Sequence, residues 1–201
     1  MKTAVIDYEA GNLRSVETAL GHLGADYYVS PEPKDILKAD RVVFPGVGEA
    51  RSAMEVLNRR GLGDAIRETA EKGKPLFGIC LGSQIVLDGS EERDAECLGL
   101  IPGSARRFPE TPGLKIPHMG WNSLRLERSH PVFAGLPDES SFYFVHSYYP
   151  APADEGARIG STEYAVRFCA AFARDNIVAT QFHPEKSGKN GLLLLKNFLR
   201  L

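Results

Sequence analysis

Pro75-Leu76-Phe77-Gly78-Ile79-Cys80-Leu81-Gly82-Ser83-Gln84 is the stretch on which the fold turns. Pro75–Ile79 is a short apolar run opened by Gly73 and reads as a buried strand. A helical pattern follows from Cys80 through about Leu87. Gly-x-Cys-x-Gly at a strand-to-helix junction matches a nucleophile elbow with Cys in place of Ser. A sharp turn holds the nucleophile in a strained backbone region, and flanking glycines let neighbouring chain pass close by. The N-terminus of the following helix favours thiolate, and its free N–H groups can hold an oxyanion. The competing reading of Cys80 is a buried structural cysteine, the commonest fate of that residue.

Outward from the elbow, strand and helix signals alternate. Thr3–Asp7, Asp26–Val29 and Arg41–Phe44 read as strands, the second ended by Ser30-Pro31-Glu32-Pro33 and the third stopped by Pro45-Gly46. Asn12 can cap a helix carrying Leu13, Val16, Leu20 and Leu23, and helical patterns cover about Ala50–Arg60 and Leu62–Lys72. This alternation predicts a mostly parallel sheet covered on both faces. From about Leu98 to Thr180 helical patterns vanish, and turn residues separate β-rich runs at Ser123–Leu126, Ser141–Tyr148, Ala157–Ser161, Phe168–Ala173 and Ile177–Phe182. Hairpins or a meander on the sheet edge would fit them. A leucine-rich helix, Asn190–Leu201, closes the chain. The expectation is one α/β domain over residues 1–201, three layers deep, with a mostly parallel mixed sheet and helices on both faces.

Composition narrows the function. With 201 residues, a 43% hydrophobic and 25% charged content and a net charge of −2, the chain resembles an average globular domain. No basic block favours nucleic acid, and no apolar run is long enough to span a membrane. Cys80, Cys97 and Cys169 form neither a disulfide framework nor a zinc pattern. The five histidines show no metal-ligand spacing, so neither a metal nor a cofactor is expected. The N-terminus lacks a signal-peptide pattern, which points to the cytoplasm and reduced thiols.

Gln181-Phe182-His183-Pro184-Glu185 follows the last strand run. Residues two apart in extended chain face one side, so Glu185 can orient His183 as base for Cys80. The alternative is a solvated turn at a strand end. Pro45-Gly46-Val47-Gly48 is not a dinucleotide fingerprint, because Arg51 takes the third glycine position. It reads either as a loop turning N–H groups to a substrate or as a plain turn. His118 and His146 sit among Trp121, Tyr143, Tyr148 and Tyr149, a cluster that suits core and interface equally.

Together these residues resemble the class I (triad) glutamine amidotransferases, which share the Gly-x-Cys-x-Gly elbow and the late His-x-Glu. Three segments single out the branch of imidazole glycerol phosphate synthase glutaminase subunits: Ile6-Asp7-Tyr8-Glu9-Ala10-Gly11-Asn12-Leu13, Pro45-Gly46-Val47-Gly48 and His118-Met119-Gly120-Trp121-Asn122. Phe144-Val145-His146-Ser147-Tyr148 also matches. Glu9 stands where glycine is frequent in the family, and Ser83 where methionine is frequent.

The resemblance implies a flavodoxin-like fold and catalysis by Cys80, His183 and Glu185. It implies an oxyanion hole from Val47, Gly48 and Leu81, with L-glutamine held by Gly48, Gln84, Ser147 and Tyr148. Asn12, Trp121, Asn122 and Tyr148 fall where the family meets its partner, a (β/α)₈-barrel cyclase subunit that consumes the ammonia in histidine biosynthesis within a heterodimer. Three other readings stay open on sequence: a subunit feeding a different synthase, a stand-alone γ-glutamyl peptidase, and a non-enzymatic scaffold.

Overall fold

The computed structural model describes residues 1–9 and 13–201; the helix cap and partner contact expected of Asn12 lie outside the described residues. In chain order the elements are β1 (Thr3–Ile6), α1 (Leu13–His22), β2 (Tyr27–Ser30), α2 (Pro33–Lys38), β3 (Arg41–Gly46), α3 (Ala50–Arg59), α4 (Leu62–Glu71), β4 (Leu76–Cys80) and α5 (Leu81–Ile85). They continue with β5 (Gly89–Ser90), β6 (Ala95–Glu96), β7 (Gly103–Arg107), β8 (His118–Ser123), β9 (Arg125–Leu126), β10 (Ser141–His146), β11 (Tyr148–Pro152), β12 (Arg158–Tyr164), β13 (Val166–Arg174), β14 (Ile177–Thr180) and α6 (Gly188–Phe198).

The main sheet runs β2-β1-β3-β4-β14-β13-β12-β9. From β2 to β14 the neighbours are parallel, and from β14 to β9 they are antiparallel. Alternation along the strands makes the three layers. Val5, Val43, Phe77 and Val178 pack with Val16 and Leu20 of α1 and Leu194 and Phe198 of α6. Ile6, Val42, Phe44 and Ala179 face the other way, onto Ile36, Leu57 and Ile66 of α2, α3 and α4. Each such large side chain, fully buried, contributes about 1.5–3 kcal/mol. Both faces of the parallel strands are covered, so those strands read as continuous apolar runs.

Several expectations are corrected. Pro45-Gly46 does not stop β3: pairing with β1 ends at Val43, but pairing with β4 continues to Gly46↔Cys80. Beyond Val43 that side of the strand pairs with no strand among the described residues, and there proline's missing donor is tolerated. The helix after Cys80 ends at Ile85, short of Leu87. Asp35, Ile36 and Lys38 belong to α2, a helix opened by Pro33, which the chain uses as a helix start rather than only as a strand stop. The run Ser141–Tyr148 breaks at Ser147 into strands of two different sheets. Besides the main sheet, β10 pairs with β8, and β11-β7-β5-β6 form a four-stranded sheet. The second half is therefore more than an edge meander.

The parallel pairing of β4 with β14 sets the site. Ile79 lies beside Thr180, so Cys80 and the chain leading to His183 emerge side by side at the strands' C-terminal ends. Open α/β sheets bind ligands there.

Candidate active site

Cys80 is held at φ 54°, ψ −107°, a left-handed backbone conformation that L-residues rarely adopt. Its glycines explain how the turn closes. A Cβ on Gly82 would lie 2.0 Å from the Phe44 carbonyl oxygen, and one on Gly78 would lie 3.0 Å from the Gly82 carbonyl oxygen. A Cβ on Gly46 would lie 2.1 Å from the Tyr8 hydroxyl, which is buried beneath that loop. The Ser83 hydroxyl donates to the Cys80 carbonyl oxygen at 2.6 Å and so ties the elbow on its own. Glu9 adopts φ 66°, a conformation glycine takes at no cost, and forms an ion pair with Arg60.

His183 Nδ1 donates to Glu185 Oε1 at 2.7 Å, and both side chains are 3% exposed. The contact is made across a 3-10 turn over Pro184–Lys186, not along extended strand as the two-residue spacing suggested. Pro184 fixes φ and starts that turn. The turn is anchored on three sides. The His183 N–H donates to the Tyr143 carbonyl at 2.9 Å, the Ser187 hydroxyl donates to the His183 carbonyl at 2.6 Å, and a Cβ on Gly191 would strike the Pro184 carbonyl at 1.8 Å.

The second ring nitrogen of His183, Nε2, is buried and, among the described residues, has no hydrogen-bond partner of ordinary geometry. Burial disfavours the imidazolium, but the thiolate charge of Cys80 and the Glu185 carboxylate outweigh it and raise the ring to about 10. With the folded value above the ordinary 6.5, the stability this charge contributes is complete below about pH 6.5 and is lost as pH rises toward 10. Removing the thiolate in Cys80→Ala is expected to lower the His183 titration, read by ¹⁵N NMR; identical titration in both proteins would separate the two side chains. The other thiols differ in kind: burial pushes Cys97 and Cys169 up to about 12, where they are inert.

A pocket of about 280 Å³ opens over Cys80 and His183. Val47, Gly48, Leu81, Gln84, Ser147 and Tyr148, all singled out from sequence, line it. Glu92, Val145 and His146 line it too and were not anticipated there. Glu92 lies on a 3-10 turn without any motif; its carboxylate accepts the Ala50 N–H at 2.8 Å and offers the pocket a negative charge. Burial raises that carboxyl, the Ala50 N–H lowers it and Glu49 raises it. Gln181 was quoted in the motif but given no role; its Nε2 donates to Cys80 Sγ at 3.6 Å.

The ambiguous aromatic cluster divides by strand parity. His118 and His146 point inward, among Phe108, Phe144 and Phe168. Trp121 and Met119 point outward and are 59% and 64% exposed. Asn122 turns its amide inward, donating to His118 Nε2 at 3.2 Å and to the Glu163 carbonyl at 3.0 Å.

A strained cysteine elbow beside a buried His–Glu pair is a thiol-nucleophile site for acyl transfer. The family model described as "Glutamine amidotransferase class-I" matches residues 4–201. The chain belongs to that family. It is therefore a glutamine amidotransferase, an enzyme, with the class I fold. Among its curated relatives, one from Chromobacterium violaceum is 49% identical over 99% of this chain and 97% of its own length. Another, from Dehalococcoides mccartyi, is 47% identical over 98% of this chain and 96% of its own. Both carry the name imidazole glycerol phosphate synthase subunit HisH. Solved structures share the fold at low identity. A glutamine amidotransferase aligns with TM-score 0.75 at 20% identity over 98% of this chain and 97% of that one. PurLQS from Thermotoga maritima aligns with TM-score 0.75 at 19% identity over 99% and 97%. Among the described residues of this amidotransferase, no helix is long and apolar enough to cross a membrane.

Proposed function

We propose that the chain is the glutaminase subunit of an imidazole glycerol phosphate synthase, acting as one domain over residues 1–201 in the cytoplasm. The observation that carries the chemistry is the buried His183–Glu185 pair beside the strained Cys80. Near-full-length identity to relatives named for that synthase supports the assignment to histidine biosynthesis.

The Cys80 thiolate attacks the side-chain amide carbon of L-glutamine. The carbonyl oxygen takes negative charge and is held by N–H groups of Val47, Gly48 and Leu81, which line the pocket. As the C–N bond breaks, the His183 imidazolium gives its Nε2 proton to the leaving nitrogen, which departs as ammonia. Water then attacks the glutamyl thioester while His183 takes its proton, and glutamate leaves with the thiolate restored. Glu185 keeps Nδ1 protonated throughout, so Nε2 does both transfers. Gln84, Ser147 and Tyr148, with Glu92 opposite, hold the substrate's α-carboxylate and α-ammonium end.

Ammonia released into bulk water would protonate and lose its nucleophilicity, so it is handed to a cyclase subunit docked over the site. That partner is a (β/α)₈ barrel and completes a heterodimer, producing imidazole glycerol phosphate and an aminoimidazole carboxamide ribotide. Exposed Trp121 and Met119, with Tyr143 in edge contact with Trp121, form an apolar patch of the kind interfaces use. Tyr148, and Asn12 outside the described residues, are proposed to complete the contact, whereas Asn122, expected there from sequence, turns its amide inward beneath it.

The test is glutamine hydrolysis by the chain alone and with the cyclase subunit of the same organism plus its ribonucleotide ligand. Strong stimulation by the partner is expected. Fast, partner-independent cleavage of γ-glutamyl peptides would instead make the chain a free hydrolase.

A further inference from the structure

The inward face of β8 and β10 carries two buried histidines that no catalytic step uses. His118 Nδ1 lies 3.1 Å from His146 Nε2, and the two residues are cross-strand partners. Two main-chain carbonyls, which can only accept, fix which ring nitrogen holds each proton. Asn122 Nδ2 donates to the Glu163 carbonyl and its Oδ1 accepts the Ser123 N–H, so its amide cannot flip and its second hydrogen goes to His118 Nε2. His146 Nδ1 donates to the Tyr148 carbonyl at 2.8 Å. Both imidazoles are neutral, because burial lowers His118 to about 4 and His146 to about 3. Each therefore bears its proton on Nδ1 and accepts on Nε2, and His118 donates to His146.

The chain of bonds does not end there. The Tyr148 carbonyl also accepts from Gln84 Nε2 at 2.9 Å. The second hydrogen of that amide goes to Gln181 Oε1, again at 2.9 Å. Gln181 Nε2 then points its hydrogen at Cys80 Sγ.

We infer that His118 and His146 are positioning residues, which hold the Tyr148 carbonyl and through it set the Gln84 and Gln181 amides around the glutamine pocket and the nucleophile. This rests on the glutaminase reading and deepens it. It also gives the proposed interface a short line to the site. Met119 and Trp121 alternate with His118 and Asn122 on one strand, so a partner pressing on the outer face bears directly on the hydrogen-bonded inner face. A fully satisfied buried network of this kind has one arrangement, and loosening one member loosens the rest.

Two variants of the full chain, assayed with its cyclase partner, test the assignment. His146→Phe keeps the ring and removes both hydrogen bonds, and it is expected to raise the KM for glutamine roughly five- to tenfold. His146→Asn restores a donor where Nδ1 stood and is expected to recover most of that loss. Equal KM values for both variants and wild type would overturn the inference. So would damage in His146→Asn equal to or greater than that in His146→Phe, because the restored donor would then have recovered nothing. A second readout needs no variant: ¹⁵N NMR of wild type is expected to show both histidines as Nδ1–H tautomers, and an Nε2–H signal from either breaks the chain of bonds. Wild type that fails to hydrolyse glutamine with its partner would instead sink the glutaminase reading, while leaving the tautomer result to stand or fall separately.

Discussion

Cys80→Ala is expected to lower glutamine hydrolysis by roughly 10⁴- to 10⁶-fold, while the synthase complex still forms its product from added ammonia. The two halves of that result follow from different features. Of the three cysteines only Cys80 lines the pocket; Cys97 and Cys169 are buried and strongly protonated. No other thiol can replace it. Alanine keeps the φ 54° turn and leaves β3, β4 and the His183 anchors as they are, so the surface offered to the partner is unchanged. Steady-state assays with glutamine and with ammonium salt check both halves. Retained hydrolysis would remove Cys80 from the nucleophile role. Loss of both activities would mean that the sulfur matters for the elbow's shape rather than for bond making.

Gly82→Ala is expected to be among the most damaging single-methyl changes in the chain. The new Cβ would sit 2.0 Å from the Phe44 carbonyl oxygen and 3.1 Å from its carbon. Phe44 is backbone of β3, fully buried and paired with Gly78 of β4, so neither side can rotate away. The elbow must lift off the sheet, at a cost of about 3–5 kcal/mol. For a chain of this size that lowers the melting temperature by roughly 10 °C. Gly73→Ala is the control. Unlike Gly82, which has helical backbone, it has a left-handed φ, 72°, and among the described residues nothing lies within 4 Å of its Cβ. Its strain alone costs about 1–2 kcal/mol. Thermal melts of the two variants separate close approach from backbone strain, and equal melting would refute the tight contact between elbow and sheet.

The first half of the fold was legible because its strands are buried on both faces and its helices are long enough to show a period. Val42, Val43 and Phe44 announce a central strand by composition alone. The elbow was legible because a cysteine between two glycines after such a strand has few other uses. What stayed hidden had no length or no pattern. β5 and β6 are two residues each, below any periodicity. Helix α2 spans six residues and begins at a proline that also serves as a strand stop. Glu92 reaches the pocket from a 3-10 turn, where nothing in Glu91-Glu92-Arg93-Asp94 distinguishes one carboxylate from the next. The histidines of the aromatic cluster could not be sorted until strand parity was known, since a shift of one residue would exchange inner and outer faces.

That parity has an evolutionary consequence. On β8 the residues that meet water and those that support the pocket occupy alternate positions, His118 and Asn122 inward, Met119 and Trp121 outward. Point substitutions can therefore redraw what the outer face binds, letter by letter, without altering the inner face. An insertion or deletion of a single residue cannot, because it would turn His118 toward solvent and the tryptophan into the core. Lineages that change partners by this strand are constrained to do so at fixed length.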